Sequence, residues 1–380
     1  MSIHSKTAAC LKASLIGAAL AAALASCGGG HDDNMSNTPM PPSAGTPSIA
    51  SAFATRPLVA DAGAGAAHID AKLINAWGIA FNPNGFVWVA NNGSSTSTLY
   101  DGNGVPQTLV VAIPAGNAGP SNPTGIVFNG NAGTFQVSEN GVSGSSAFIF
   151  ASENGTLSGW SPGVNRNNAI RAVDTGAAGA VYKGLAIASY VGVTYIYAAD
   201  FRNGRVDVYD SNWNKVTLPG GSFNDPNLPA GYAPFGIQAI GGRIYVAYAQ
   251  RAAGSIDETK GAGLGVVDVF DASGAFSKRL TAGGALNAPW GLAMAPANFG
   301  GASNLLLVGN FGDGKINAYN PDTGAFAGTL SKADRTPIVI DGLWGIAFGN
   351  GLNNQPTNTL FYAAGPDDEA HGVYGRIDLQ

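Results

Sequence analysis

Six times along the chain, a short apolar run opens on one bulky or polar residue followed by glycine. The copies are Trp77-Gly78-Ile79-Ala80, Thr124-Gly125-Ile126-Val127, Lys183-Gly184-Leu185-Ala186, Phe235-Gly236-Ile237, Trp290-Gly291-Leu292-Ala293 and Trp344-Gly345-Ile346-Ala347. Their glycines lie 47 to 59 residues apart. A near-constant period of about 50 residues with β-rich content is the mark of propeller blades.

A second landmark recurs inside the units. It is ADFRNGRVDVYD from Ala199 to Asp210, GNFGDGKINAYN from Gly309 to Asn320, GVVDVFD from Gly265 and STLYDGNG from Ser97. Alternating apolar residues read as a half-buried strand, and Asp or Asn with Gly reads as the turn after it. Each unit is then inner strand, second strand, loop, third strand, turn and outer strand, which is one four-stranded antiparallel blade. The predicted fold is an all-β, six-bladed propeller over residues 56–380. Within the first unit, Asn82-Pro83-Asn84-Gly85 is the hairpin turn out of the inner strand.

The last unit stops one strand short. Its inner strand is Trp344 to Phe348, its second Thr359 to Ala364 and its third His371 to Leu379. Arg56-Pro57-Leu58-Val59-Ala60-Asp61, ahead of the first unit, supplies the missing outer strand. Pairing it with the last blade removes an open sheet edge. The longest interval belongs to the second unit, where residues 129–146 read as an insertion. That leaves Glu139 and Glu153 as alternative ends of its second strand. Glu153 is preferred, because Gly155-Thr156-Leu157-Ser158-Gly159-Trp160 aligns with the third strands of other units.

Composition fits this fold. Charged residues are 11% of the chain, against roughly 25% in an average domain. The 55 glycines suit many tight turns. A net charge of −5 without a basic cluster argues against nucleic acid as partner.

The N-terminus reads separately. Lys6 and Lys12 flank an n-region, and Ala13 to Ala25 is an apolar stretch too short to span a bilayer. It ends in Leu24-Ala25-Ser26-Cys27, which resembles a bacterial lipoprotein signal, with Cys27 as the lipidated residue. Gly28 after the cysteine, by resemblance to sorting rules, favours the outer membrane of the cell envelope. Residues 28 to about 55 are rich in Gly, Ser, Thr, Asn and Pro and read as a flexible tether. With Cys27 lipidated and Cys10 removed, the domain has no disulfide and rests on packing alone.

The ADFRNGRVDVYD stretch resembles the NHL repeat. The Pro-x-Gly-Ile openings are similar to those of NHL propellers, streptogramin lyases and gluconolactonase-like propellers. Residues 56–380 most resemble a family of exported bacterial six-bladed propellers, in which a run like Ala151 to Trp160 is typical. The resemblance implies the fold and leaves the activity open, since propellers host enzymes, binders and scaffolds.

The residues before the six glycines share one face with the second-to-third strand loops. Trp77, Thr124, Lys183, Phe235, Trp290 and Trp344 therefore ring the axis. They either plug the channel as core or line a mouth that stacks on a ligand. Arg202 and Tyr248 are further candidates for that face, and Arg251 opens a long loop over it through Gly263. Asn91, Glu153, Asp200 and Asn310 are the candidate ligands of a calcium-type divalent cation. Gluconolactonase-like propellers carry such a metal at the axis, although this chain departs from them by placing Trp, Thr, Lys and Phe before the glycines. The other reading of the four is as turn residues capping their own loops. His68 and His371 lie near the closing blade. A lyase-like base would have to be His371.

The expectation is a monomeric, lipid-anchored binding or scaffold module for a protein, glycan or small molecule, touching membrane only through its anchor. The alternative is a divalent-metal-dependent hydrolase, lactonase- or esterase-like, or a lyase, with an axial site.

Overall fold

A computed structural model describes residues 47–63 and 65–380. Cys27, the signal and most of the tether lie outside the described residues. Strands dominate, and the only helical pieces among the described residues are two three-residue turns, Gly176–Ala178 and Gly300–Ala302.

The strands form six antiparallel blades, as the repeats predict. Blade one is Ala76–Phe81, Val87–Asn91, Thr96–Tyr100 and Pro106–Ala112. Blade three runs Tyr182–Tyr190, Val193–Asp200, Arg205–Tyr209 and Lys215–Val216. Blades four and five follow the same order from Tyr232 to Ala282 and from Pro289 to Thr329. In blade two, Pro123–Phe128 pairs with Phe148–Ser152, and the segment between them carries a separate hairpin, Gln136–Glu139 with Val142–Ser145. That hairpin is the insertion read from the long interval.

Blade six is closed as expected. Phe53–Ala60 pairs antiparallel with Val373–Leu379, from Phe53 opposite Leu379 to Ala60 opposite Val373. The domain begins earlier than residue 56, however. Ile49 is buried and packs with Phe53, Phe299 and Ile377 in one cluster. The Ser- and Ala-rich residues around it carry no alternating pattern, so the sequence gives no sign that they belong to the blade.

The core is divided among the blade interfaces. One cluster joins Trp88 and Leu99 of blade one to Phe148 and Trp160 of blade two. Another joins Tyr100 and Val89 of blade one to Tyr374 and Phe361 of blade six. Each interface is a stripe of alternate strand residues, so loss of one blade exposes two stripes.

The repeated glycine has a specific task. In all six blades the pairing of inner and second strands shifts register at the residue before it. Such a bulge re-aims a side chain out of the ladder. Here it turns the preceding residue toward the axis. The glycine itself sits against the next blade. A Cβ on Gly78, Gly184, Gly236, Gly291 or Gly345 would lie under 3.0 Å from the carbonyl oxygen of Thr124, Phe235, Trp290, Trp344 or Trp77, respectively. No side chain fits that approach.

Candidate functional site: a polar mouth above an aromatic plug

The bulges deliver an aromatic cluster to the axis. Trp77, Phe235, Trp290 and Trp344 are joined there by Phe201 and Phe311 from the second-to-third loops. Trp77 and Trp344 stack with centroids 3.5 Å apart, and Phe311 stacks on Trp344 at 3.9 Å. Trp290 meets both tryptophans edge-on, at 6.0 and 5.7 Å, and its Nε1 donates to the Lys183 carbonyl at 2.8 Å. Phe235 reaches Trp344 at 5.7 Å. These rings are buried, with Trp290 the most exposed at 9%. They fill the axis rather than line an open pocket. Under them Ile79, Ile126, Leu185, Ile237, Leu292 and Ile346 enclose a narrow space of about 30 Å³. Gln238 and the backbone of the repeated glycines share its walls with these aliphatic side chains, and a space of that size holds no more than a few waters.

Over the plug lies a chain of polar contacts that crosses blades. Asn75 Nδ2 donates to Glu369 Oε2 at 2.6 Å and to Asn92 Oδ1 at 3.3 Å. Asn92 Nδ2 donates to Glu153 Oε2 at 2.9 Å, and Glu153 Oε1 accepts from Lys183 Nζ at 2.6 Å. Asn122 Nδ2 donates to the Asn92 carbonyl at 3.2 Å. Asp257, from the loop 251–263, stands 3.6 Å from the same ammonium. Blades six, one, two, three and four thus contribute to one mouth.

Lys183 is the pivot. It is 2% exposed, and its ammonium lies 5.2 Å from the Trp77 ring centroid. Burial pulls an ammonium pKa down, but Glu153, Glu258 and Asp257 outweigh it and hold Lys183 above the ordinary lysine value. Glu258 and Glu369 are held above the usual carboxylate range, chiefly by burial. Of the two glutamates weighed for blade two, Glu153 is the one at the mouth. Glu139 sits in the inserted hairpin and accepts from Asn165 at 2.7 Å.

Other candidates lie elsewhere. Tyr248 is 1% exposed and faces Asp268 and Arg279 of blade four and Asp225 of the link before it. Arg202 is exposed and rests against Gly179, in the link entering blade three. His371 Nδ1 pairs with Asp61 at 3.0 Å, while His68 sits opposite Val59 in a short parallel pairing. Asp61 also accepts from the Gly372 amide, so the pair ties the closing strand to the last blade.

Of the four residues considered for a cation, Asn91 and Asn310 are held through their amide nitrogens, with Oδ1 buried and unpartnered. Asn91 donates to Thr96 and Thr98, at 3.1 and 3.0 Å. Asp200 accepts from Val181 and Asn203 and has Arg205 as an ion-pair neighbour at 3.5 Å. Asn310 donates to Ala285 and Asp313. Each is held within its own blade and the links beside it, while Glu153 belongs to the mouth. Among the described residues, no group of three or more His, Cys, Asp or Glu has metal-binding geometry.

Sequence reasoning missed Asn75 and Asn122 as connectors, and Glu258 and Lys260 as mouth residues. Their only signal is position. Each lies in a link or loop on the face that also carries the residues before glycine.

A closed six-bladed propeller whose axis is sealed by aromatic side chains under a polar mouth defines the class of protein. No protein-family model matches the chain. An uncharacterized protein of Acanthamoeba polyphaga mimivirus is 35% identical over 320 residues, covering 82% of this chain and 76% of that protein. A second uncharacterized protein of the same virus is 32% identical over 321 residues, covering 82% of each chain. The chain belongs to the family of these mimivirus proteins. Among solved structures, a PQQ-bound aldose sugar dehydrogenase from Streptomyces coelicolor is 13% identical, with a TM-score of 0.50, covering 88% of this chain and 100% of that one. That likeness is one of fold alone. Virginiamycin B lyase from Staphylococcus aureus is 11% identical with a TM-score of 0.43, over 86% of this chain and 100% of that one, too low to carry an argument.

Proposed function

We propose that this protein is a binding module whose working surface is the mouth above the aromatic plug. The observation that carries the reading is the linked set Glu369–Asn75–Asn92–Glu153–Lys183, which gathers polar groups from four blades over a filled axis. A surface of fixed, mutually oriented polar groups on a rigid scaffold suits recognition. The ligand is a protein, glycan or small molecule that lies on this face. Tethering through a lipid on Cys27, at a cell envelope with the outer membrane favoured, belongs to the same proposal, as does a monomeric state. The metal-dependent hydrolase or lyase has less support, because among the described residues no three His, Cys, Asp or Glu side chains are grouped to hold a metal ion.

The test is a thermal-shift panel of neutral, anionic and cationic small molecules, glycans and peptides. It is run on the wild type and on the double variant Lys183→Met/Glu153→Gln. Compounds that raise the melting temperature of the wild type alone support the reading. Stabilisation that survives intact in the double variant overturns it.

A further inference from the structure

Three of the protein's own cations rest on rings of the plug. Lys183 Nζ is 5.2 Å from the Trp77 centroid, Arg251 Cζ 5.8 Å from Phe201 and Lys260 Nζ 4.3 Å from Phe311. These distances lie within the range for cation–aromatic attraction. The plug's upper surface is therefore a platform that attracts positive charge. Carboxylates surround it: Glu153, Asp257, Glu258 and Glu369 all act on Lys183 or on one another.

The cations differ in how they are held. Lys183 is buried and bonded to Glu153. Lys260 is exposed. Its ammonium lies over Phe311 and acts on the Glu369 carboxylate. It lies on the loop 251–263, whose backbone is anchored at Arg251 to Gly231, at Gly261 to Asn287 and at Gly263 to Leu286, so any movement is that of the side chain. A lysine side chain has the freedom to swing away without disturbing the propeller. Asn75, 4% exposed, holds Glu369 through its Nδ2, while its Oδ1 has no partner and packs against Gly365.

We propose that the Phe311 face beside Glu369 is a cation subsite, filled here by the protein's own Lys260, and that it takes an ammonium or guanidinium group of the ligand. This rests on the reading of the mouth as the binding surface and adds the chemical class of what binds. Lys260 is a placeholder. A ligand's cation displaces it, stacks on Phe311 and pairs with Glu369. The same chemistry is offered by a free polyamine and by a basic peptide side chain.

The test is calorimetric titration of the full chain with spermidine in one arm and a trilysine peptide in the other. The proteins are wild type, Lys260→Ala, Glu369→Gln and Phe311→Leu. Removing the placeholder should tighten binding roughly tenfold, as expected when an internal competitor is lost. Glu369→Gln and Phe311→Leu should weaken it roughly tenfold, the scale of a desolvated cation–aromatic contact. Binding should also fall with added salt. The arm that binds identifies the source of the cation. If neither cation binds Lys260→Ala, or if Glu369→Gln binds as tightly as wild type, the inference fails. Should neutral or anionic compounds still need Lys183 and Glu153 in the thermal panel, the binding-module reading survives that failure.

Discussion

The indole of Trp344 lies on that of Trp77, ring centroids 3.5 Å apart and planes 19° from parallel. These residues come from the last and first blades, so the ring of blades is closed at the axis as well as at its rim. Trp344 also meets Phe235, Trp290 and Phe311. Trp344→Ala should cost about 3–5 kcal/mol, the range for a large buried aromatic. Urea unfolding followed by far-UV circular dichroism measures this. A loss under about 1 kcal/mol, the scale of a volume-conserving swap, would show that the plug bears no load.

Gly345→Ala tests the close approach of neighbouring blades. The added methyl would press on the Trp77 carbonyl oxygen, which is backbone and cannot swing aside. A destabilisation of about 1–3 kcal/mol or more is expected. Gly163→Ala is the control, since nothing lies within 4 Å of its added Cβ. Equal melting temperatures for the two variants would remove the argument.

The buried pair at the mouth should behave asymmetrically. Glu153→Ala removes the nearest carboxylate from the Lys183 ammonium, which is 2% exposed, and leaves it only Asp257, at 3.6 Å, as an ion-pair partner; it should cost up to about 3–5 kcal/mol. The double change Lys183→Met/Glu153→Gln removes the charge along with its partner and should cost much less. Chemical denaturation of the three proteins gives both numbers. A double variant no more stable than Glu153→Ala would mean that packing, and not charge, sets the cost.

Blade four carries a pH-dependent element. Asp268 is fully buried beside Asp225, with Arg279 Nε 3.6 Å away. Burial, then the Asp225 charge, pushes it up to about 8. The folded state therefore holds a proton that the unfolded chain releases near the usual carboxylate value of about 4. Stability is greatest below that value and falls as pH rises through about 8. Asp268→Asn should flatten the decline in urea midpoints between about pH 5 and about pH 9. An unchanged slope would place the titrating group elsewhere.

Much of the architecture was legible because it is written in a repeated register. The six glycines mark the bulges, and Arg56 to Asp61 complements a last blade that lacks an outer strand. The 129–146 surplus emerges as a hairpin on blade two. The mouth was less legible, for a physical reason. Its residues converge from loops of unlike length, and no periodicity ties Glu369 to Asn75 or Lys260 to Phe311. The cation expectation shared that difficulty. Asn91, Asp200 and Asn310 occupy like positions, but they end second strands, whereas the bulge that turns a side chain inward lies on the inner strand. The amide nitrogens of Asn91 and Asn310 and the Asp200 carboxylate bond within their own blades.

The account holds that side chains, and not an ion, seal the axis. Metal content of the purified domain by mass spectrometry, paired with thermal melts in EDTA and in added calcium, tests this most directly. The account predicts no stoichiometric metal and a melting temperature that neither reagent moves. One bound divalent metal per chain, with a melt lowered by EDTA and restored by calcium, would contradict it and return the axial hydrolase to first place.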